Sequence, residues 1–308
     1  MLLARALDER MWILNRQGKA PFVLSCQGHE GISAGAALAL EPGVDWIAPY
    51  YRDLAMVLMF GMTPQEVMLG FFGRAEDPSS GGRQMPAHYG HAQHKILTGS
   101  SPVATQVAHI VGIALANKIR GIKGVALASL GEGSTNQGEF HEAMNFAAVQ
   151  RVPAIVLVHN NGYAISTPLV HQVSVQDLSL RAQGYGILGV TVDGTQPLAV
   201  YEAVKAARER ALAGQGPTLI EAKTYRLTPH SSDDDDRAYK SEEVRQQERR
   251  HDVMRVFSRW AKDHGYLSAS EEQDITREVL RLVDEAVEYA LGAPTPDPTT
   301  LGQHLYGS

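Results

Sequence analysis

Along the chain, apolar positions fall into short unbroken runs and helical stripes. Val125 to Leu130 is a mostly apolar run, closed by Gly131, of the kind that a strand buried on both faces shows. Phe140, Ala143, Met144, Ala147 and Ala148 follow at i, i+3, i+4, i+7 and i+8, which makes one apolar helix face. Pro153 separates that helix from a second apolar run, Ala154 to Val158. This order predicts a βαβ unit whose strands run parallel and end at the same edge of a sheet. A second unit is predicted from strands at Ile187 to Val192 and Pro217 to Tyr225, around an amphipathic helix from about Pro197 to Ala213. Helices also fit His29 to Leu40, Pro64 to Gly73 and Val103 to Ile119, with a strand near Trp46. The start, MLLARALDERMWIL, carries Asp8 and Glu9 inside an amphipathic pattern that suits a helix better than a signal peptide. Residues 74–102, rich in Gly, Pro, Ser and His, read as an ordered functional loop, because so long an irregular stretch is unusual inside a compact domain. Residues 241–291 are charged and helical in pattern, and the Pro-rich GAPTPDPTT leads to a short terminus suited to packing on a partner. The expectation is an α/β fold with a mostly parallel sheet flanked by helices. It comprises one domain over residues 1–240 and a helical extension, 241–308, packed on it.

The strands of the first unit end in Gly131-Glu132-Gly133 and Asn160-Asn161-Gly162, so these groups should meet where parallel sheets bind ligands. Magnesium takes hard oxygen ligands, usually one or two carboxylates with substrate phosphates and water. Glu132 offers a carboxylate, Asn161 an amide oxygen, and the backbone near Tyr163 a carbonyl. Gly131, Gly133 and Gly162 let the backbone approach a diphosphate, and the helix after Gly133 aims its N-terminal N–H groups at anionic charge. A dinucleotide fingerprint fits less well. It needs glycine where Asn136 stands, and an acid for the ribose where the chain has His159-Asn160-Asn161. The spacing of His88, His91 and His94 invites zinc, yet no cysteine is near and Gly90 argues against one continuous helix, so the ligand pattern is weak.

Gly131-Glu132-Gly133 followed by Asn160-Asn161 resembles the thiamine-diphosphate motif, with Glu in place of the commoner Asp. GRQMPAHYG (82–90), SSPVATQ (100–106), NNGYAIST (160–167) and YRLTPHSSDDDDRAY (225–239) resemble the alpha subunit of two-subunit 2-oxo acid dehydrogenase E1 components, the branched-chain enzymes above all. The resemblance covers nearly the whole chain. It implies a thiamine-diphosphate-binding fold and the oxidative decarboxylation of a branched-chain 2-oxo acid, with acyl transfer to lipoyl-E2. Alternatives are a pyruvate or acetoin dehydrogenase alpha subunit and, from another class, a non-catalytic scaffold paralogue.

By the same resemblance Tyr51, Arg52 and Arg226 lie at the diphosphate, with Gly131, Glu132, Gly133 and Asn161, while Ser101 and Val103 line the thiazolium and aminopyrimidine. Arg52 in a surface ion pair is the bland alternative. Magnesium would be held by Glu132, Asn161 and Tyr163, and potassium, as in some relatives, by Ser100, Pro102, Thr105 and Gln106. The run Asp233 to Asp236 would ordinarily be a solvated charge cluster. Its neighbour His230 matches an active-site histidine that helps protonate or orient the intermediate and the incoming lipoyl group, a task suited to an imidazole whose ordinary pKa is near neutral. Ser231 matches a serine that mitochondrial relatives phosphorylate, although nothing in the sequence speaks of a kinase. His159 stands where close relatives often have Arg. If it touches the diphosphate, cofactor affinity should weaken as pH rises through its titration. Nothing resembles the family's aminopyrimidine-binding half, which a beta subunit supplies. The expected assembly is therefore a heterotetramer of two alpha and two beta subunits, with cofactor at each interface. Relatives carry further residues before the first helix, so the resemblance implies a native start upstream of Met1 or a misassigned one.

Composition is consistent with this. With 308 residues and 44% hydrophobic content the chain can bury a large core. A net charge of -6 and a pI near 6.1 argue against nucleic acid as a main partner. Cys26 is the single cysteine and cannot form an intrachain disulfide, which favours a reducing cytoplasm. No apolar run approaches the length of a bilayer span, so no membrane partner is expected.

Overall fold

Seven strands are present in the computed structural model, which describes residues 1–303: β1 (Trp46–Ala48), β2 (Ala126–Gly131), β3 (Ala154–Asn160), β4 (Tyr163–Ala164), β5 (Thr167–Pro168), β6 (Leu188–Asp193) and β7 (Thr218–Lys223). Five of them form a parallel sheet in the order β1-β2-β3-β7-β6, and β4 and β5 make a small antiparallel hairpin just beyond β3. Both βαβ units expected from periodicity are there, with boundaries displaced by no more than a few residues. In a parallel sheet covered on both faces each strand alternates between two cores. Leu127, Ile155, Leu157 and Ile220 face one core, with helices α1 (Leu2–Arg16), α2 (Glu30–Ala39), α3 (Leu54–Met59) and α4 (Pro64–Phe71). Ala126, Ala128, Leu130, Val156 and Val158 face the other, with α5 (Thr105–Arg120), α6 (Gly138–Gln150) and α7 (Ala182–Tyr185). Helix α8 (Pro197–Leu212) returns to the first face and lies against α2. There a β-carbon on Gly35 would come within 2.4 Å of the Pro197 carbonyl, so glycine sets that approach.

The C-terminal helices are α9 (Glu242–Arg250), α10 (Val253–Asp263) and α11 (Ala269–Gly292). Val283, Ala286, Val287 and Ala290 of α11 join the same core as Ala4 and Leu7 of α1. Capping boxes start α4 (Thr63 with Glu66, followed by Pro64) and α11 (Ser268 with Glu271). The terminus expected to reach a partner lies outside the described residues from 304 onward. No helix among the described residues is long and apolar enough to cross a membrane.

One local expectation is corrected. The helix does not begin directly after Gly133: a 3-10 turn over Glu132–Asn136 intervenes and α6 starts at Gly138. Thr135 Oγ1 donates to the Glu132 carbonyl at 2.6 Å, and Arg181 grips the Thr135 carbonyl and Asn136 Oδ1 at 2.6 and 2.7 Å, which tightens the turn.

Candidate functional site

The carboxyl ends of β2 and β3 are adjacent, with Gly131 paired to His159. Glu132, one residue beyond, is buried. Its Oε2 accepts the Asn161 N–H at 3.4 Å, while its Oε1 has no partner. Burial pushes the Glu132 carboxyl up from its ordinary pKa, against the backbone hydrogen bonds and the Arg226 charge. Asn161 folds back so that its Oδ1 accepts the Tyr163 N–H at 3.1 Å, and the Tyr163 carbonyl accepts from Arg226 Nη1 at 3.3 Å. The three expected magnesium ligands thus come together as a carboxylate with one orphan oxygen, an amide oxygen and a carbonyl, a hard-oxygen set that fits a divalent cation. Gly133 is also required for packing, since a β-carbon there would lie 2.6 Å from the Ala164 β-carbon of the hairpin.

Arg52 and Arg226 are the two largest fully buried side chains. Arg52 donates to the Ser25 carbonyl at 2.5 Å and to the His230 carbonyl at 2.9 Å, and its Nη2 lies 3.2 Å from His230 Nδ1. Arg226 donates to the Ile165 carbonyl at 2.8 Å and the Tyr239 hydroxyl at 2.7 Å, in addition to Tyr163. Each keeps an unpartnered Nε, and no carboxylate is among their hydrogen-bond partners. This is not the surface ion pair weighed for Arg52. A buried guanidinium with no carboxylate bonded directly to it keeps donor capacity that an anion can complete. Arg52 stacks over the Tyr51 ring at 5.1 Å, and the Tyr51 ring meets His230 edge-on at 6.1 Å.

The surroundings of His230 move it well below the ordinary imidazole pKa. Burial, then the charges of Arg52 and Arg226, hold it down to about 4. Because Arg52 can only donate, Nδ1 of His230 is the acceptor and Nε2 carries the proton. The acidic run is ordered around it: Asp234 accepts the His230 N–H at 2.8 Å and the Tyr239 hydroxyl at 2.5 Å.

Tyr51, Ser100, Val103 and Gln106 line a narrow cleft together with Tyr50, His88 and Ser134. Ser101, Pro102 and Thr105 lie outside that lining. Ser101 Oγ is 2.5 Å from His88 Nε2, and Thr105 Oγ1 donates to Glu139 at 2.7 Å. Gln106 Nε2 donates to the Ser129 carbonyl at 3.0 Å, and its buried Oε1 is unpartnered. The three loop histidines part company: His88 turns to Ser101, while the His91 and His94 rings pack 4.1 Å apart.

His159 is enclosed beneath the site, stacked on His29 with ring centroids 5.3 Å apart, and burial lowers both imidazoles' pKa values. Sequence reasoning missed His29, at the N-cap of α2, and Asp53, because their partners are far away in the chain. It also missed Lys240, whose Nζ reaches the Arg226 carbonyl at 3.2 Å and Glu248 at 2.7 Å while lying 4.7 Å from the Tyr163 ring centre. The adjoining motif YRLTPHSSDDDDRAY was the available signal.

A doubly covered parallel sheet with buried guanidinium groups and an unpartnered carboxylate oxygen at its carboxyl edge belongs to the class of α/β proteins that bind ligands at that edge. A family model described as "Dehydrogenase E1 component" matches residues 1–299, and the chain belongs to that family. It is 52% identical to the 2-oxoisovalerate dehydrogenase subunit alpha of Bacillus subtilis (strain 168), over 99% of this chain and 93% of the relative. It is 37% identical to the mitochondrial 2-oxoisovalerate dehydrogenase subunit alpha of Homo sapiens, over 99% of this chain and 68% of the relative. To the pyruvate dehydrogenase E1 component subunit alpha of Bacillus cereus it is 36% identical, over 99% and 80%.

Proposed function

We propose that the chain is the alpha subunit of a branched-chain 2-oxo acid dehydrogenase E1. With a beta subunit, it would bind thiamine diphosphate and magnesium, decarboxylate the 2-oxo acid and pass the acyl group to lipoyl-E2. The observation that carries this reading is the pair of buried guanidinium groups without a carboxylate, beside an orphan oxygen of Glu132. Arg52 and Arg226 supply the charge that a diphosphate requires, and Glu132, Asn161 and the Tyr163 carbonyl supply oxygens for magnesium. A cation at Glu132 Oε1 favours the ionised carboxylate that burial otherwise opposes. Bound thiamine diphosphate supplies the nucleophilic carbon and the electron sink. His230, neutral and with its proton on Nε2, donates a hydrogen bond or moves a proton at that atom, while Tyr51 packs against its ring. The unpartnered Gln106 Oε1 supports a potassium site with Ser100, Pro102 and Thr105 nearby in sequence.

Exposed apolar side chains on α5 (Ile119) and α6 (Phe146, Val149) support a subunit face, as in a heterotetramer with two beta subunits. The buried single cysteine Cys26 and a bacterial relative support a cytoplasmic location. The higher identity to the 2-oxoisovalerate enzyme favours a branched substrate over pyruvate. A scaffold has no use for the buried cation-and-carboxylate cluster.

The test is carbon dioxide release from 3-methyl-2-oxobutanoate and pyruvate by the chain co-expressed with a beta subunit, with and without thiamine diphosphate and magnesium. Release that needs both cofactors, prefers the branched acid and is lost in His230→Ala is expected. An assembled complex that releases nothing would favour the scaffold, and an active parent whose His230→Ala variant is indistinguishable from it would remove His230 from the chemistry.

A further inference from the structure

Four buried side chains from three segments of the chain connect the interior to the metal-facing amide. Asp53, at the N-cap of α3, accepts from Ser33 Oγ at 2.6 Å and from the Tyr50 N–H at 2.9 Å, and also from the Ser129 hydroxyl. Its Oδ1 lies 3.3 Å from His159 Nε2, near but off the angle of a well-formed hydrogen bond, and no other acceptor meets that nitrogen. His159 Nδ1 faces His29 Nδ1 at 3.0 Å, and His29 Nε2 faces Asn161 Nδ2 at 3.5 Å. Asp53, His29 and His159 are wholly buried and Asn161 nearly so.

The donors and acceptors along this path have a single consistent assignment. The Tyr163 N–H fixes which end of the Asn161 amide is oxygen, so Nδ2 is the end that points at His29. An amide nitrogen only donates, which makes His29 Nε2 an acceptor and puts the His29 proton on Nδ1. That proton is donated to His159 Nδ1, so His159 carries its own proton on Nε2, directed at the Asp53 carboxylate. Burial lowers the pKa of both imidazoles, the direction this one-donor, one-acceptor arrangement requires.

We infer that His29 is a positioning residue, the central link of an Asp53–His159–His29–Asn161 chain that locks the Asn161 amide with its Oδ1 toward the metal position. This gives His159 a role at one remove from the diphosphate, as a hydrogen-bond coupler. The inference rests on the proposed magnesium and diphosphate site, because it takes Asn161 Oδ1 to be a ligand. Groups behind a metal ligand commonly hold about 10–100-fold of metal affinity.

The experiment is titration of the co-expressed alpha–beta complex with Mn2+, the probe for magnesium, at saturating thiamine diphosphate, read by the electron paramagnetic resonance of free Mn2+. His29→Gln retains an acceptor for Asn161 and a donor for His159 and is expected to bind within about 3-fold of the parent. His29→Leu, which offers neither, and His29→Asn, one methylene too short to reach Asn161, are expected to bind about 10–100-fold more weakly. His29→Asn keeps the test open if the Leu variant does not assemble. A purely structural role would lower melting temperature without separating Gln from Asn in Mn2+ affinity. Equal affinity in Gln and Asn variants, or no loss in either breaking variant, overturns the inference. A parent complex with no thiamine-diphosphate-dependent Mn2+ binding at all fails differently: it overturns the site itself and the inference with it.

Discussion

Arg226 is expected to be nearly neutral for the stability of the empty protein and decisive for that of the loaded one. Its removal relieves a buried charge without a carboxylate partner, but it also strips a donor from the Tyr163 and Ile165 carbonyls, opposing effects of about 1–3 kcal/mol each. Arg226→Met is therefore expected to melt within a few degrees of the parent without cofactor, yet to lose about 30-fold in thiamine diphosphate affinity, the worth of one charge-assisted hydrogen bond of about 2 kcal/mol. Calorimetry and melting curves on the same preparations check both halves. Unchanged affinity would remove Arg226 from the diphosphate site.

His230 makes a pH-dependent prediction whose sign follows from its environment. Its pKa falls from 6.5 to about 4 on folding, so the unfolded chain binds the extra proton first. The contribution of the neutral ring is fully present above pH 6.5 and is lost as pH falls through about 4. A bound diphosphate offsets Arg52 and Arg226 and raises that pKa again, so cofactor binding near pH 5.5 should take up protons. Calorimetry in two buffers of different ionisation heat measures the uptake, and His230→Asn should reduce it. Equal uptake in parent and variant would assign the protons elsewhere.

At the scale of elements, the site depends on a clip between the segment after β7 and helix α9. Glu248 of α9 reaches Lys240 Nζ at 2.7 and 2.9 Å, and Lys240 holds the Arg226 carbonyl beneath the Tyr163 ring. Burial pushes the Lys240 pKa down and that of Glu248 up, each opposed by its partner. Glu248→Ala leaves a buried ammonium unpaired, a loss of about 3 kcal/mol. Faster hydrogen exchange over residues 227–240 is the expected result, and exchange identical to the parent would show that the acidic loop is held by other contacts.

The same scale separates what the sequence made legible from what it did not. Periodicity located β2, α6 and β3, and with them the meeting of Glu132 and Asn161, because a strand or helix writes its pattern into neighbouring residues. Helix α3, six residues long, and the two-residue strands β4 and β5 are too short to show one. His29 was read only as the start of a helix, since nothing local indicates a partner 130 positions away. The lowered pKa of His230 was not legible for a related reason: the burial and the two cations that depress it come together only in the fold. Arg52 and Arg226 were marked by resemblance, but their lack of a carboxylate was visible only in three dimensions.

For the whole molecule, the sheet brings four distant stretches to one edge: the end of β1 with Tyr51 and Arg52, the turn after β2, the turn after β3, and the segment after β7 with Arg226 and His230. Two helical layers and the C-terminal helices bury β2, β3 and most of β1 and β7 behind that edge, so the strands that carry the site are held in the core. The guanidinium pair, with no carboxylate bonded directly to it, then carries a physiological consequence. A ligand that binds only the folded form adds about 2.7 kcal/mol of stability at a hundredfold excess over its dissociation constant. Shifts of about 1–2 kcal/mol change cellular abundance several-fold through proteolytic turnover. Under the proposed function, vitamin supply would set the lifetime of the protein as well as its rate, and thiamine starvation would deplete the subunit itself.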